Sequence, residues 1–490
     1  MLRSVSLTVT RQFLAIDLGA ESGRAMLGRL RGGVLDMSEV HRFQNEPHRV
    51  DGSLRWNTAR LWANIRQALD AVPGLTLDAV GVDAWGVDYG LLDDDGHLLE
   101  DPYHYRDART TGEMERLFAA VSRARLYATT GIQCMPINTI YQLHAACRET
   151  PQIVARARTL LTMPDLFNYW LTGRVCTEYT IATTTQCVDA ATRTWATDLM
   201  ASAGIPARVF APIVDAGTVI GSVQPGVSSV LSGTPVVATA CHDTAAAVAA
   251  VRAGGGTAFL SSGTWSLLGT ELPAPILSAD ARDRNFTNEG GVCGTIRLLK
   301  NICGLWLLQA CRRSWMAAGQ ALSYDDLLAA AADERHAFRS LIDPDDEQFV
   351  NPDDMPSSID AYCRRTGQPV PDGPAAYTRT ILESLACKYR VVLESLEAVT
   401  GRQFDEIRIV GGGSRNRLLN QFTANATGCR VVAGPVEATA LGNIAVQMLA
   451  TGVVGSLAEA RDVIDRSFPV ERFEPEAHDT WTAHSRRLWT

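Results

Sequence analysis

A short turn between two apolar runs, AIDLGAESGRAML, carries residues that could bind a phosphate. Gly19 and Gly23 would let the backbone adopt positive φ and let a ligand approach it closely, and successive N–H groups in such a turn bind anions. Ser22 adds a hydroxyl, and Arg24 adds a fork that fits phosphate oxygens. Asp17, just before the turn, could hold a water of hydrated Mg²⁺. The pattern predicts a phosphate site, and an ordinary solvated β-turn is the alternative.

A second turn of similar composition lies in the other half of the chain, at 261–264 in the stretch FLSSGTWSLLGT. Each turn joins two apolar runs, so the chain shows a weak internal duplication with one polar-tipped hairpin in each half. Two opposed hairpins of this kind can hold the phosphates of ATP without a P-loop. A P-loop itself is excluded, because neither Lys300 nor Lys388, the only lysines, follows a glycine.

Asp243 is the candidate for acid–base chemistry. It follows the apolar stretch TPVVATACH and precedes the alanine-rich segment AAAVAAV. A carboxylate at the end of a strand can accept a proton from a substrate hydroxyl as that hydroxyl attacks phosphorus. The alternative is that Asp243 or Thr244 only caps the following helix. Taken alone, His242 is more typical of a structural hydrogen-bonding residue than of a metal ligand.

Glycines and a tryptophan mark two further candidate binding positions. Gly411, Gly412 and Gly413 follow a strand pattern and precede a helix, where they could bind a pyrophosphate or let an adenosine lie against the backbone. A tight connection between strand and helix is the alternative. The stretch DAWGVD ends another strand, and its Trp85 and Gly86 could form one wall of a sugar pocket. The alternative there is a core tryptophan beside a turn.

Composition and charge limit the class of protein. The chain has 490 residues, of which 46% are apolar, so two domains with sizeable cores are expected. The net charge is −9 and no basic stripe occurs, which disfavours a nucleic-acid partner. No apolar stretch approaches the length of a membrane span, and the first residues are too polar for a signal peptide. Eleven scattered cysteines without a Cys-x-x-Cys pair predict a reducing cytoplasm.

The alternation of apolar strands with helical patterns predicts an α/β architecture with two lobes. A stretch rich in glycine, proline and serine ends near residue 233, and we place the boundary there, giving domains at 1–233 and 234–490. The predicted strands cover 12–18, 24–30, 33–43, 78–96 with a turn at its end, a segment starting near 234, and DEIRIV before the glycine triplet. The predicted helices cover 57–71, much of 297–334, and 374–400.

In this order, a set of motifs resembles the FGGY carbohydrate kinases, which are relatives of hexokinase and actin. The motifs include DLGAESGR, GVDAWGVDYGLLD, HDTAAAV, FLSSGTWSLLGTE, NFTNEGG, LLKNICGLWLLQ, IVGGGSRNRLLNQ and GPVEATALGNI, and the likeness spans about 12–450. The resemblance implies a duplicated, two-lobed hexokinase/actin-like (RNase H-like) fold with an interlobe cleft. It also implies ATP and Mg²⁺ as cofactors and a small sugar as substrate. We expect no membrane partner, and a monomer or a homodimer.

The resemblance also implies roles for individual residues. Those implied to bind the nucleotide are Ala20, Glu21, Ser22, Gly23, Arg24, Thr264, Gln309 and Gly412. Those implied to touch the sugar are Gly86, His242, Asp243, Thr244 and Asn301. Asp243 would be the proton acceptor, and no residue is assigned to a metal. Asn301 and Gln309 are expected on the helix that follows NFTNEGG.

Within the family, the motifs are most similar to those of members that phosphorylate the 1-hydroxyl of L-rhamnulose with ATP. A kinase for another ketose, such as L-fuculose or L-xylulose, is the nearest alternative, and a non-catalytic actin-like nucleotide-binding protein is a distant one. Two positions depart from the family pattern. Glu21 places an acid in the phosphate turn, where it would repel a triphosphate unless it points outward or meets a water of Mg²⁺. Cys241 stands where a serine is more usual.

Overall fold

A computed structural model gives the structure of the protein and describes residues 10–72, 74–333, 337–350 and 352–485. The expectation about a signal peptide falls largely on residues 1–9, which lie outside the described residues. Over the described ranges, the structure contains no helix that combines the length and the apolar character needed to cross a membrane. No disulfide joins the cysteines, all of which belong to the described part of the chain.

The strands alternate with helices along the chain. They are β1 (Arg11–Leu18), β2 (Ser22–Arg31), β3 (Val34–Gln44), β4 (His48–Val50), β5 (Ser53–Arg55), β6 (Ala79–Ala84), β7 (Tyr89–Leu92), β8 (Thr159–Thr162), β9 (Thr177–Glu178), β10 (Val188–Asp189), β11 (Thr194–Trp195), β12 (Ile213–Val214), β13 (Thr218–Ser222), β14 (Pro235–Ala238), β15 (Thr257–Ser262), β16 (Trp265–Leu272), β17 (Thr287–Gly290), β18 (Ile296–Cys303), β19 (Glu406–Val410), β20 (Arg430–Ala433) and β21 (Glu471–Phe473).

The helices are numbered in the same way. They are α1 (Thr58–Asp70), α2 (Glu113–Ala120), α3 (Arg123–Thr130), α4 (Thr139–Glu149), α5 (Pro151–Arg156), α6 (Met163–Thr172), α7 (Tyr179–Thr184), α8 (Thr197–Ser202), α9 (Asp243–Ala249), α10 (Ala279–Asp283), α11 (Trp306–Ala317), α12 (Tyr324–Ala331), α13 (Met355–Arg365), α14 (Gly373–Thr400), α15 (Arg417–Thr427), α16 (Ala438–Ala450), α17 (Leu457–Ser467) and α18 (His478–Ser485).

Contacts divide the chain into two compact units. Unit 1 contains 1–252, 271–298 and 438–468, and unit 2 contains 253–270, 299–437 and 469–490. Each unit therefore consists of three separate stretches of the chain. The late helices α16 and α17 belong to unit 1. β14, which begins just after the predicted boundary at residue 233, also belongs to unit 1.

The sheet of unit 1 is built on the first hairpin of the chain. Its strand order is β13-β14-β6-β1-β2-β3, with β1 antiparallel to β2 and parallel to β6. β1 and β6 are buried over most of their length because their apolar side chains meet helices on the faces of the sheet. Helix α1 contributes to the same core and buries Leu61, Ile65 and Leu69 on one face, as the sequence periodicity predicts.

The second sheet repeats this arrangement. Its strand order is β17-β18-β16-β15-β19-β20-β21, with β15 antiparallel to β16 and parallel to β19. In both sheets the strand that opens the hairpin is therefore central, with its hairpin partner on one side and a parallel strand on the other. The duplicated α/β fold inferred from the two polar-tipped turns is confirmed by this topology.

One predicted helix region begins as a strand instead. The segment IRLLKNIC forms β18, and α11 begins only at Trp306. Asn301 therefore lies on a strand and not on the expected helix, whereas Gln309 lies on α11. The reason is that a short apolar run carries no period that separates a strand from a helix, and pairing within the sheet decides the outcome.

Candidate functional site

Asp243 is the first residue of α9, directly after the loop that follows β14. His242 is bridged to Ala84 at the end of β6, which anchors the start of the helix to the sheet. The Asp243 side chain is 30% exposed, whereas that of His242 is 9% exposed. The hydroxyl of Thr244 donates to Asp243 Oδ1 at 3.1 Å. Asp243 thus combines a fixed position with a carboxylate that a substrate can reach.

Three carboxylates gather at one end of the unit 1 sheet. Asp17 near the end of β1 and Asp83 near the end of β6 are register partners on neighbouring strands, and Asp243 follows the next strand in the sheet order. Burial raises the pKa of Asp83 well above its ordinary value, and the charge of Asp17 adds to the effect. Burial, together with the charge of Asp17, also raises the pKa of Asp243, against an opposing effect of His242. Asp17 therefore opposes the ionisation of the two other acids at this end of the sheet.

The Arg24 guanidinium is directed at Asp17. Its Nε and Nη2 both donate to Asp17 Oδ2, at 2.9 and 2.6 Å, across the β1–β2 hairpin where the two residues are register partners. The turn pattern predicts that this guanidinium binds phosphate oxygens. In the structure two of its donors bind one acid of the cluster and fix its orientation, and the contact with phosphate stays a prediction.

The turn between β1 and β2 is closed by its own backbone. The N–H of Gly19 donates to the carbonyl oxygen of Ser22 at 3.0 Å, and the side-chain amide of Asn45 donates to the Gly19 carbonyl oxygen at 3.0 Å. The prediction that Gly19 and Gly23 adopt positive φ is wrong. Gly23 is required for another reason, since a Cβ there would lie 2.2 Å from the Phe43 ring on β3. Glu21 is exposed, so its charge is solvated.

The stretch DAWGVD forms a hydrogen-bonded wall in unit 1. Asp88 Oδ2 accepts from the indole N–H groups of Trp56 at 2.6 Å and Trp85 at 3.0 Å, and its Oδ1 accepts from Gln142 Nε2 at 2.9 Å. Burial nevertheless raises the pKa of Asp88 to about 6. The tryptophans are thus held by their indole N–H groups, which fixes the orientation of their rings.

Gly86 and Val87, which lie between Trp85 and Asp88 in the chain, contact α7. Val87 has φ of +69°, a strained conformation for a β-branched residue. Its N–H donates to Thr184 Oγ1 at 3.2 Å, and its carbonyl oxygen accepts from Thr139 Oγ1 at 2.6 Å. A Cβ at Gly86 would lie 3.2 Å from a Thr184 carbon. The backbone at this predicted sugar-binding position is therefore held by hydrogen bonds with α4 and α7.

The glycine triplet of unit 2 packs against the β15–β16 hairpin. A Cβ at Gly413 would lie 2.1 Å from Ser262 Oγ, and Gly411 has φ of +82°. Both glycines are therefore needed by the fold. Gly412 differs, because a Cβ there would meet no atom of the described residues within 4 Å. Its open face is compatible with the predicted contact with an adenosine.

Thr264 contacts the start of α11, the helix that carries Gln309, in unit 2. The carbonyl oxygen of Thr264 accepts from the N–H groups of Gly304 at 3.1 Å and Trp306 at 3.2 Å, so the hairpin tip holds the start of α11. Gln309 lies on that helix. Its buried Oε1 has no hydrogen-bond partner within the part of the chain that the structure describes. An unused acceptor of this kind fits a ligand N–H or hydroxyl.

The predicted site residues thus fall into two groups. Unit 1 carries Ala20, Glu21, Ser22, Gly23, Arg24, Gly86, His242, Asp243 and Thr244, and unit 2 carries Thr264, Asn301, Gln309 and Gly412. Within unit 1 the acids meet at one sheet end, and within unit 2 the hairpin tip, the triplet and the start of α11 are in contact. The roles of these residues stay predictions.

Comparison with protein families identifies the chain. The model of the N-terminal domain of the FGGY family of carbohydrate kinases matches 12–250, and the model of the C-terminal domain matches 258–451. The chain belongs to the FGGY family of carbohydrate kinases. This FGGY kinase is therefore an enzyme that phosphorylates a sugar, with ATP as the donor that the family implies. The non-catalytic alternative is not supported.

Several curated relatives share this family and are similar over nearly their full length. A protein of Bacteroides thetaiotaomicron named rhamnulokinase is 46% identical over 478 residues, which cover 96% of this chain and 98% of that protein. Rhamnulokinases of Pectobacterium carotovorum and Enterococcus faecalis are each 42% identical, over 98% and 96% of this chain and over 96% and 95% of their own lengths.

Solved structures support the fold of this FGGY kinase. A ligand-bound xylulose kinase from Lactobacillus acidophilus superposes with a TM-score of 0.79 at 15% identity, covering 97% of this chain and 96% of that structure. A Plasmodium falciparum glycerol kinase with ADP has a TM-score of 0.78 at 15% identity, covering 98% of this chain and 97% of that structure. At these identities the likeness concerns the fold alone.

The acid cluster of this FGGY kinase fits a hydrated Mg²⁺. Asp83 Oδ1 is buried without a hydrogen-bond partner among the described residues, while Asn443 on α16 donates to Asp83 Oδ2 at 2.6 Å. Mg²⁺ prefers carboxylate oxygens and retains several waters. Asp17 and Asp83 therefore offer the right donor chemistry. No local sequence signal marks Asp83 or Asn443 for this role, because only the fold brings α16 to β6.

Proposed function

We propose that the enzyme transfers the γ-phosphoryl group of ATP to the 1-hydroxyl of L-rhamnulose, giving L-rhamnulose 1-phosphate and ADP. The substrate rests on the relatives named rhamnulokinase, which match nearly the whole chain at 42–46% identity. The reaction type rests on one observation above all, the reachable carboxylate of Asp243 among neighbouring acids that are more deeply buried.

Asp243 acts as the general base in this proposal. Its carboxylate accepts a hydrogen bond from the sugar hydroxyl, orients the oxygen toward the γ-phosphorus and takes the proton as the new O–P bond forms. The bond between the γ-phosphorus and the β–γ bridging oxygen breaks, and ADP leaves. A pKa raised above the ordinary aspartate value makes the carboxylate a stronger base near neutral pH. Most of the remaining catalysis comes from positioning and charge, because the transition state is loose.

The buried acids supply the second part of the chemistry. Asp17 and Asp83 would hold a hydrated Mg²⁺, which when bound offsets negative charge on the phosphate oxygens. Arg24 orients Asp17 through its two hydrogen bonds. Asn443 orients Asp83 and leaves one carboxylate oxygen for a ligand.

We assign the binding of the nucleotide to residues of both groups. Ala20 to Arg24 would meet the phosphates through the β1–β2 turn, and Thr264 would meet the phosphate end from the β15–β16 hairpin. Gly412 would back the adenosine with its open face, and Gln309 would use its unsatisfied Oε1. Because the reaction consumes ATP, we also propose that the enzyme works in the cytoplasm.

A panel of ketoses tests the substrate. Purified enzyme is assayed for ADP release with ATP, Mg²⁺ and L-rhamnulose, L-fuculose or L-xylulose, and kcat/KM is compared. The proposal expects the highest value for L-rhamnulose. A higher value for L-fuculose or L-xylulose would establish the nearest alternative, which shares Asp243 and both hairpins and differs only in the residues that face the sugar.

A further inference from the structure

A buried triad of charged and polar side chains lies behind Asp243 in unit 1. It consists of His242, Glu289 on β17 and Arg297 on β18. Arg297 Nη2 lies 3.0 Å from Glu289 Oε2 and 3.1 Å from His242 Nδ1. The Arg297 side chain is fully buried, and its Nε donates to the Gly290 carbonyl oxygen at 2.9 Å. A buried guanidinium destabilises the fold unless it is paired, so the contacts of Arg297 with Glu289 and His242 require an explanation.

The contacts at His242 Nδ1 decide where the imidazole proton lies. Nδ1 has two neighbours, Arg297 Nη2 at 3.1 Å and Glu289 Oε2 at 3.3 Å. The contact from Arg297 has the geometry of a hydrogen bond, and the contact from Glu289 is an ion-pair contact. A guanidinium nitrogen can donate but cannot accept. Nδ1 must then be the acceptor, and the proton of the neutral ring is carried by Nε2.

The other side of the ring faces Asp243. His242 Nε2 lies 3.4 Å from Asp243 Oδ1. With the proton on Nε2, the ring presents a positive N–H dipole to the carboxylate. With the proton on Nδ1, it would present a lone pair to a negative oxygen, which is repulsive. The state of Nδ1 thus affects the orientation and the charge of the general base.

Other charged groups also act on this part of the unit. Besides Glu289 and Arg297, those that face the cluster from the packed elements are Asp17, Arg24, Asp83, Glu178 and Glu271. Most of them are acids, and the positive charge of Arg297 acts on several of them, Asp243 included. Glu289 balances that charge locally. Burial opposes its ionisation, but the guanidinium of Arg297 lowers the Glu289 pKa below its ordinary value.

We propose that Arg297 is a positioning residue, which holds His242 with its proton on Nε2 and thereby orients the Asp243 carboxylate, while Glu289 neutralises the guanidinium. The consequence for activity rests on the proposed function of Asp243. The tautomer itself does not, so the two ideas can fail separately.

Nitrogen NMR of the wild-type enzyme tests the tautomer directly. The protein is labelled with ¹⁵N-histidine, and the His242 signals are assigned by their absence in His242→Gln. We expect a protonated Nε2 and an unprotonated Nδ1 at neutral pH. A protonated Nδ1, in a neutral or a doubly protonated ring, would overturn the proposal whatever sugar the enzyme uses.

Two variants test the effect on the base. In Arg297→Met, His242 Nδ1 is expected to donate to Glu289 instead, so kcat/KM falls about 10–100-fold, the range for groups that orient a functional histidine from behind. The acidic limb of the pH profile moves to higher pH because a positive charge is lost. In Glu289→Gln the tautomer is retained, and the limb moves to lower pH because a negative charge is lost.

Arg379→Met is the matched control. Arg379 is also a buried arginine, but it lies in unit 2 and pairs with an acid, Glu383, at 2.5 Å. It donates to the backbone carbonyl oxygen of Ala331 at 3.0 Å. Its loss should lower stability but leave the His242 signals and the acidic limb close to wild type. Shifts in Arg379→Met equal to those in Arg297→Met would reduce the triad to a structural role. Acidic limbs that move in the same direction in Arg297→Met and Glu289→Gln would lead to the same conclusion. Low activity of the wild type with every ketose would instead count against the proposed function.

Discussion

Asp83 and Asn443 form a hydrogen bond of 2.6 Å although 360 positions separate them in the chain. Asn443 lies on α16, which returns to unit 1 after the chain has built most of unit 2. The bond occupies Asp83 Oδ2 and leaves Oδ1 without a partner in the described part of the molecule. Asn443 also donates to the carbonyl oxygen of Gly81 at 3.2 Å, so one amide fixes both the strand and its acid. Asp83 is thus fixed in position with Oδ1 available to a ligand.

Asp83→Asn should raise the Mg²⁺ concentration that the activity requires. The variant loses one of two buried carboxylates proposed to hold the hydrated ion, so the Mg²⁺ concentration for half-maximal activity should rise by about 10-fold or more. The measurement is a Mg²⁺ titration of ADP release at fixed ATP. Asp94→Asn is the control, because Asp94 is exposed and paired with Arg158. An unchanged Mg²⁺ requirement in Asp83→Asn would remove this acid from the metal site.

Asp243→Asn should lower kcat by about 10²–10⁴-fold, the range that general-base catalysis supplies. The amide keeps the size of the side chain, so the KM for the sugar should change much less. Steady-state kinetics with varied sugar at saturating ATP measures both. Asp215→Asn serves as the control, because that acid is 75% exposed and pairs with Arg193 on the surface. Turnover close to wild type in Asp243→Asn would exclude it as the base.

The pH dependence of kcat/KM should report the environment of Asp243. Its pKa is raised, mainly by burial, above the ordinary value of 3.8. The base must be ionised to accept a proton, so activity is present above the raised pKa and is lost as the pH falls through it. The acidic limb should therefore lie above 3.8 and be absent from the residual activity of Asp243→Asn. The same limb in both enzymes would assign it to another group.

Gly412→Leu should raise the KM for ATP about 10-fold, equal to about 1.4 kcal/mol, and leave the KM for the sugar nearly unchanged. A Cβ there meets no described protein atom within 4 Å, so the added side chain should compete with a ligand for this space. Gly226→Leu is the matched control, with an equally open glycine in unit 1. Thermal unfolding confirms that both variants fold. Equal effects on both substrates would place the adenosine elsewhere.

Much of the architecture is readable from the sequence because it depends on local patterns. The β1–β2 hairpin follows from apolar runs around a small-residue turn, and α1 follows from the spacing of Leu61, Ile65 and Leu69. Asp243 could be singled out because an acid at the end of a buried strand is unusual and chemically useful. The segment at Asn301 could not be assigned correctly, because eight mostly apolar residues fit a strand or a helix equally well.

The supporting residues of the site leave no such local signal. Gly23 is needed because Phe43 on the next strand fills its space, and not because of its φ angle. Arg24 resembles a free phosphate ligand in the sequence, yet the hairpin register places it opposite Asp17. Arg297 lies in an apolar run, and its pairing with Glu289 depends on two strands of a sheet. Such contacts arise from tertiary structure alone.

The most direct test of the account is the product of the reaction itself. Purified enzyme is incubated with ATP, Mg²⁺ and L-rhamnulose, and the product is examined by ³¹P NMR with proton coupling. Transfer to the primary 1-hydroxyl predicts a phosphomonoester signal split into a triplet by the two protons on C1, formed in step with ADP. A phosphate coupled to a single proton, or no sugar phosphate while L-fuculose or L-xylulose is phosphorylated, would contradict it.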